Sequence, residues 1–242
     1  MGNVTIASGN NSTSMGVSTT ASGTNSTAMG NSTTASGNAS TSMGLSTTAS
    51  GNNSTAIGFA TTASGRRSTA MGVYTSASDY GSLVIGQFNS AGSSVTSGPQ
   101  SALVFSAGNT AFVIGNGTNG SNKSDAFKVM FNGDATVSNN LTVVGDVEVQ
   151  SDARLKSNIT SLGSTISKLL LIDGKSYEMK GKQKIGVLAQ EIKEVFPELV
   201  SEDDNKILAV NYQGLVPVLI NALKEQQSEL DRLKDQEKRM ER

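Results

Sequence analysis

Thr33-Thr-Ala-Ser-Gly-Asn-Ala-Ser-Thr-Ser-Met-Gly-Leu-Ser46 decides the fold of the first part of this chain, because its pattern recurs every 14 residues. Glycine returns at positions 9, 23, 37, 51 and 65, and a second series occupies 16, 30, 44, 58, 72 and 86. A fixed period this short is typical of a solenoid in which each repeat forms one coil. Fourteen residues suffice for two short strands and two tight turns, with glycine in the turns.

Two columns of apolar side chains are expected inside these coils. Alanine recurs at 7, 21, 35, 49 and 63, and methionine or isoleucine recurs at 15, 29, 43, 57, 71 and 85. One large apolar residue and one or two alanines per coil make a small core for a free-standing solenoid. The repeat therefore predicts that several chains pack along a common axis.

Composition divides the chain in two. The 242 residues carry a net charge of −1, which gives no electrostatic reason to expect nucleic acid or an anionic membrane as a partner. Residues 1–92 contain two basic residues and one acidic residue, whereas residues 151–242 contain fifteen of each sign. Histidine and cysteine are absent, which excludes catalysis by imidazole or thiol. The sequence shows no secretory signal after Met1 and no stretch of transmembrane length, so we expect no membrane insertion.

The small-x-Gly-x-x-Ser-x-Ala-x-Gly style of the repeat resembles the heads of YadA-like trimeric adhesins. This resemblance implies a left-handed parallel β-roll over residues 1–92, in a homotrimer. Its neutral outer surface of Thr, Ser and Asn suits contact with a host surface glycan or protein receptor. Arg66-Arg67 forms the charged coil, either as an anion contact in the trimer or as a solvated pair in a turn.

Residues 93–150 are predicted to form a β-rich neck or shaft. The last coil edge is expected at Phe112-Val-Ile-Gly115, and Asn132-Gly133 is a hairpin-type turn. Short alternating runs at 126–131, 135–137 and 141–149 predict strands, which would interleave between three chains.

The C-terminal block has a mixed α+β pattern. A short helix is expected from Ile166, a second within Ile185–Phe196, where Pro197 stops it, and a short strand at Ile207–Val210. Asn211 is a candidate cap for the helix that follows. From about 212 to 242 the chain predicts a trimeric coiled coil, since steps of three and four connect positions 216, 219, 223, 226, 230, 233, 237 and 240.

A second motif, Ser151-Asp-Ala-Arg-Leu-Lys-Ser-Asn-Ile159, marks the junction between the two compositions. Together with Ile185–Val200, Val210-Asn-Tyr212 and the long C-terminal helix, it resembles the C-terminal intramolecular chaperone domains of phage tailspikes such as the endosialidases. The same self-cleaving domain occurs in the myelin regulatory factor. The resemblance covers residues 151–242 and implies a chaperone that gathers three chains into an intertwined homotrimer.

By the same resemblance, Ser151 is the nucleophile and Lys156 the general base of a single-turnover serine endopeptidase that cuts only its own chain. The hydroxyl would attack the carbonyl of Gln150 and break the Gln150–Ser151 bond, with Ser151–Asp152 as the second choice. Lys156 must be neutral to accept the proton, and burial or the positive charge of Arg154 favours that state.

Three neighbours are candidates for support. Asp152 would orient the amine or hold Arg154, and Asn158 would help to bind the oxyanion. From spacing alone, the alternative is that Ser151 caps a helix and Lys156 is an exposed helical lysine, since S-x-x-x-x-K is unspecific.

Other kinds of site are not expected. The sequence offers no P-loop, no metal constellation and no cofactor site, and Gly115-Asn-Gly-Thr-Asn-Gly120 lacks the following helix that a dinucleotide fingerprint needs. No pair of carboxylates suggests a glycosidase.

These observations predict a homotrimeric phage fibre or spike, folded in the host cytoplasm and carried on the virion. Its head and shaft would be released from the C-terminal chaperone by autoproteolysis. Two alternatives are a bacterial trimeric adhesin, and a permanent trimerisation domain that does not cleave.

Overall fold

The structure, a computed structural model, describes residues 2–90, 101–203 and 206–241. It divides into two compact units, Met1–Val147 and Glu148–Arg242. The described part of the first unit is built from β-strands, and that of the second mixes short strands with helices. The boundary predicted between residues 92 and 93 lies outside the described residues.

The first unit begins as a β-solenoid in which a strand of two residues alternates with a strand of five. In chain order these strands are β1 (Ile6–Ala7), β2 (Thr13–Val17), β3 (Thr20–Ala21), β4 (Thr27–Asn31), β5 (Thr34–Ala35), β6 (Thr41–Leu45), β7 (Thr48–Ala49), β8 (Thr55–Phe59), β9 (Thr62–Ala63), β10 (Thr69–Val73), β11 (Ser76–Ala77) and β12 (Leu83–Gln87).

Neighbouring coils pair in parallel with an offset of 14 residues, so that like residues stack. Thr27 lies opposite Thr41, and Gly30 lies opposite Gly44. The short strands form a six-stranded sheet. The long strands form a nine-stranded sheet that continues into β13 (Thr110–Asn116), β14 (Asp125–Met130) and β15 (Ala135–Val137). The predicted solenoid of 14-residue coils is confirmed.

Only small side chains fill the space between the two sheets. The predicted alanine column from the short strands is confirmed from its second member onward, with Ala21, Ala35, Ala49 and Ala63 at 0% exposure, whereas Ala7 in the first coil is exposed. A second column, from the long strands, faces it. Its fully buried members are Ala28, Ser42, Ala56, Ala70 and Val84.

The prediction that methionine and isoleucine form the second interior column is wrong. Their side chains lie on the outer face of the nine-stranded sheet, where Met15, Met29 and Met71 are 44%, 36% and 40% exposed. Successive side chains of a strand point to opposite faces, so Met29 must point outward because Ala28 points inward. The single chain is left with an apolar stripe on its surface.

Glycine is required where one coil touches the next. A Cβ added to Gly37 would lie 2.1 Å from the carbonyl oxygen of Gly51, and one added to Gly30 would lie 2.0 Å from that of Gly44. Gly30 also has a φ of 125°, which L-residues rarely adopt. The two glycine series of the sequence are therefore two rows of close backbone contact.

Asp79 ends the first glycine series and connects the coils to the strands that follow. Its fully buried carboxylate accepts a hydrogen bond of 2.8 Å from the backbone N–H of Thr110, at the start of β13. The strand β13 pairs in parallel with β12, which confirms Phe112–Gly115 as a coil edge. The predicted turn at Asn132-Gly133 joins the antiparallel strands β14 and β15.

The strand predicted over residues 141–149 is absent from the structure of the single chain. This segment has no strand, and the side chain of Val144 is completely exposed. A β-strand exists only when its backbone groups pair with another strand, and none is available within this chain. The interleaving of three chains remains a prediction.

The second unit contains the C-terminal elements. In chain order they are α1 (Ile166–Leu169), β16 (Lys175–Met179), β17 (Lys182–Gly186), α2 (Ala189–Val195), β18 (Val200–Glu202), β19 (Leu208–Val210) and α3 (Leu215–Met240). The helix predicted within Ile185–Phe196 is shorter than expected, because Ile185 pairs with Ser176 in the β16–β17 hairpin. Pro197 starts a 3₁₀ turn directly after α2, and the Asn211 side chain accepts a hydrogen bond from the N–H of Gly214 just before α3.

A small core holds this unit together. Ile192 and Phe196 pack with Val218 of α3, and all three are buried. Helix α3 leaves its predicted heptad positions in solvent. The exposed fractions are 53% for Val216, 50% for Leu219, 64% for Leu223, 51% for Leu230, 48% for Leu233 and 81% for Met240.

Candidate functional site

The predicted reactive residues lie on a short, exposed turn of the second unit. Residues Ala153–Leu155 form a single 3₁₀ turn, and its cap is Asp152, whose carboxylate accepts a hydrogen bond of 2.8 Å from the N–H of Arg154. Lys156 ends the turn in an extended conformation. The alternative reading of Ser151 as a helix cap is therefore wrong, because the neighbouring aspartate has that role.

The turn brings the two predicted members of the dyad together. The Lys156 Nζ lies 2.7 Å from the Ser151 Oγ, at hydrogen-bonding distance, and both residues are exposed. In this arrangement the ammonium group donates to the hydroxyl. A general base needs the reverse polarity, in which a neutral amine accepts the hydroxyl proton. The geometry therefore provides proximity, and deprotonation of the amine has to come from a change of environment.

Asp152 and Arg154 form an ion pair beside the dyad. The guanidinium donates to both carboxylate oxygens, with Arg154 Nη2 at 2.6 Å from Asp152 Oδ2 and Nε at 3.1 Å from Oδ1. These hydrogen bonds from Arg154 hold the pKa of the Asp152 carboxyl below its usual range, and the same contact raises the pKa of Arg154. Of the two roles considered for Asp152, the structure shows it holding Arg154 and capping the turn.

The two remaining predicted residues lie on either side of the turn. Gln150 and Ser151 line an open cleft of about 600 Å³ together with Asp152, Arg154 and Leu155, so the scissile region is accessible to water. Asn158 has a positive φ of 52°. Within the described residues, its side chain makes no hydrogen bond, so the suggested contact with an oxyanion remains a prediction.

The charged coil of the head has an aromatic partner that sequence reasoning missed. Arg67 donates a hydrogen bond to the hydroxyl of Tyr80, and its guanidinium lies 5.4 Å from the centre of that ring. Nearby in sequence, Tyr74 stacks on Phe88 with ring centres 4.8 Å apart and meets Phe59 edge to face at 5.1 Å. The 14-residue spacing of these aromatics was a visible signal.

Metal and membrane chemistry have no counterpart in the described residues. Among them, no three side chains of His, Cys, Asp or Glu gather as ligands for a metal ion. No helix within the described ranges combines the length and apolar character that a membrane span needs.

Comparison with known proteins places both halves of the chain. Residues 151–201 match the family described as the chaperone of endosialidase. Residues 7–33, 35–61 and 63–89 match the YadA head domain repeat. Both resemblances inferred from the sequence are confirmed.

Long tail fibre proteins of phages are similar in part. Long tail fiber protein Gp37 of Escherichia phage AR1 is 34% identical over 96 residues, covering 35% of this chain and 9% of that protein. The proteins of the same name from Enterobacteria phages K3 and T2 are 34% identical over 90 residues, covering 33% of this chain and 7% of each relative. The matching region thus spans less than a tenth of these relatives. The chain combines YadA-type head repeats with a chaperone-of-endosialidase segment, and it is similar to the long tail fibre proteins of phages.

Proposed function

We propose that this chain forms a homotrimeric phage fibre whose residues 151–242 gather three chains and then release themselves by one self-cleavage beside Ser151. The observation that carries the proposal is the 2.7 Å contact between Lys156 Nζ and Ser151 Oγ, within a segment that matches the chaperone of endosialidase. The Ser–Lys pair is a known alternative to a histidine-dependent nucleophile, and this chain has no histidine.

The proposed reaction proceeds in two steps. Neutral Lys156 takes the proton of the Ser151 hydroxyl while Oγ attacks the carbonyl carbon of Gln150. The Gln150–Ser151 C–N bond then breaks, the Ser151 nitrogen takes up the proton, and the Gln150 acyl group is left as an ester on Oγ. Water hydrolyses this ester to a Gln150 carboxylate and a free Ser151 hydroxyl. The net change is the hydrolysis of one peptide bond.

Trimer formation is proposed from the apolar surface that the single chain leaves exposed. In the second unit this surface is the heptad face of α3, and in the first unit it is the methionine stripe of the nine-stranded sheet. Heptad faces of this kind pack against copies of themselves. Assembly would also place a neighbouring chain near the exposed turn, and burial there favours the neutral amine.

We assign host contact to the outer surface of the coils, with a host glycan or protein as partner. The surface is rich in neutral hydroxyl and amide groups, and the Arg67–Tyr80 pair and the Phe59–Tyr74–Phe88 cluster add cationic and aromatic contact points. The virion is the expected location, with folding in the host cytoplasm before assembly.

Mass spectrometry of freshly expressed protein tests the proposal. We expect two fragments, with the C-terminal one beginning at Ser151. A fragment beginning at Asp152 would assign the cut to the Ser151–Asp152 bond instead. Ser151→Ala should remain full-length and trimeric, because it removes the nucleophile but no core volume. Lys156→Arg should also remain uncut, since arginine keeps the positive charge and does not become neutral.

An intact parent chain in a stable trimer would refute self-cleavage and would support a permanent trimerisation domain. Cleavage of the Ser151→Ala or Lys156→Arg variant at the parental rate would refute the dyad.

A further inference from the structure

The reactive stretch, residues 151–159, is connected to the rest of its unit through the chain that follows it. Its hydrogen bonds in the described part of the chain all join residues within the stretch itself, and its residues are exposed. Residues 156–165 contain no helix or strand. What positions the dyad is therefore the first place where this irregular segment docks on a regular element.

That place is a set of contacts between residues 163–166 and helix α3, which we call the α3 clamp. The carboxylate of Glu225 accepts hydrogen bonds from the Ser164 hydroxyl at 2.7 Å and from the Thr165 N–H at 2.5 Å. The Thr165 hydroxyl donates to the Val218 carbonyl at 2.9 Å, and Asn221 Nδ2 donates to the Gly163 carbonyl at 3.3 Å. The partners are separated by 53 to 61 positions in sequence.

The clamp is built and not incidental. Thr165 is 1% exposed, so its N–H and hydroxyl are removed from water and depend on these acceptors. The hydrogen bonds from Ser164 and from the backbone of Thr165 and Ile166 hold the pKa of Glu225 below its usual range, so the carboxylate is charged at neutral pH. A charged acceptor makes stronger hydrogen bonds than a neutral one.

Helix α3 thus carries two different faces. Val218, Asn221 and Glu225 hold the segment of their own chain, while Leu219 and Leu223 belong to the exposed heptad face. At 3.6 residues per turn these faces lie about a quarter turn apart. A helix that joins the trimer through one face therefore holds the clamp on the other.

We infer that Glu225 is a positioning residue for the proposed self-cleavage, because its carboxylate docks the tether of the reactive stretch onto the trimerisation helix. This role rests on the proposed function. Eight residues separate Lys156 from Ser164, a reach of roughly 27 Å at most for extended chain. With the clamp closed, Ser151 and Lys156 stay within this radius of the helix, where an assembled neighbour can bury them. With the clamp open, the reactive stretch moves independently of the trimer.

The test measures cleavage and the clamp separately in the full chain. Glu225→Ala should slow cleavage about tenfold to a hundredfold, as expected for a misplaced reacting group. Hydrogen exchange, measured in a Ser151→Ala background, should show faster exchange at Thr165 and Ile166, with the trimer retained by sedimentation. Glu225→Gln keeps an acceptor of the same shape and should restore part of the rate.

Glu229→Gln is the matched control. This glutamate lies one turn further along α3, and its carboxylate binds Arg232 of the same helix at 2.5 Å. Its loss should leave both cleavage and the exchange of Thr165 unchanged. A result in which Glu225→Ala frees the Thr165 amide but cuts at the parental rate would overturn the inference.

Two milder variants cover the case in which Glu225→Ala fails to fold. Ser164→Ala and Asn221→Ala each remove one hydrogen bond of the clamp, and each should slow cleavage with the trimer intact. Parental rates in both would contradict the positioning role. A parent chain that never cuts would refute the proposed function, and the positioning role with it. Protection of Thr165 in that case would still show that the clamp forms.

Discussion

Cleavage should follow trimerisation, and breaking the heptad face of α3 should therefore prevent it. We choose Leu223→Asp together with Leu230→Asp, because these side chains are 64% and 51% exposed in the single chain. Complete burial of a leucine contributes about 1.5–3 kcal/mol, so burying the exposed half contributes about 1–1.5 kcal/mol for each residue. Two positions in three chains then account for about 6–9 kcal/mol of assembly free energy.

A loss of this size would lower the association constant by more than about four orders of magnitude, since 1.4 kcal/mol corresponds to a factor of ten. The introduced carboxylates add repulsion where three helices should meet. Ser151 and Lys156 are untouched by these changes, yet the chain should stay uncut. A lysine amine in water, with an ordinary pKa of about 10.4, is almost entirely protonated at neutral pH, and only burial in the assembly favours the basic form.

The assay is a time course of cleavage by mass spectrometry, paired with sedimentation of the same samples. The matched control is Gln227→Asp with Ser228→Asp, which adds the same two charges to α3 outside the heptad positions. This control should trimerise and cut like the parent. Efficient cleavage of the leucine variant in a demonstrably monomeric state would show that the dyad is complete within one chain, and the proposed coupling would be wrong.

Two further predictions concern stability. Ser42→Ala, measured by guanidinium unfolding in an uncut background, should cost about 1–2 kcal/mol per chain, because it leaves the buried hydroxyl of Thr47 without its 2.7 Å partner. Ala56→Ser should instead add about 0.5–1 kcal/mol, since the buried hydroxyl of Thr61 in the next coil has no partner now, and unchanged midpoints in both would contradict this account. Acid should loosen the α3 clamp: the lowered pKa of Glu225 means that its contribution is complete above the ordinary glutamate value of 4.5 and is lost as pH falls through the lowered value. The melting temperature of the C-terminal unit, followed by circular dichroism, should then fall less between pH 7 and pH 3 in Glu225→Gln than in the parent.

The solenoid was predictable because its signal repeats. Each coil places glycine where a Cβ would strike the next backbone, so the constraint that shapes one coil is printed six times in the sequence. The direction of the methionine side chains was harder to predict, since Ala28 and Met29 are both apolar neighbours. The pleat allows one of them inside, and the narrow space between the sheets selects the smaller. The glycine at position 30, on the same face as Ala28, was a signal for this parity.

The reactive pair was predicted from a resemblance, and its proximity follows from local structure. A turn of three residues capped by Asp152 is enough to bring Lys156 back to Ser151. The α3 clamp could not be predicted in this way. Ser164 and Glu225 are 61 residues apart, and a hydrogen bond between side chains leaves no periodic pattern that a single sequence displays. The strand predicted over residues 141–149 has the opposite difficulty, since its pattern is clear but a single chain offers it no partner.

The exposed dyad and the exposed heptad face have a common explanation if the chain is a precursor that acts once. A Ser–Lys pair active in the monomer would remove the chaperone before three chains had met, and the head would be left with its methionine stripe in water. A lysine that stays charged until a neighbour buries it delays the reaction until assembly. Holding the reactive turn on the helix that senses assembly makes that delay dependent on the correct trimer. The reaction then needs no external signal, because the folded product creates the environment in which the bond is cut.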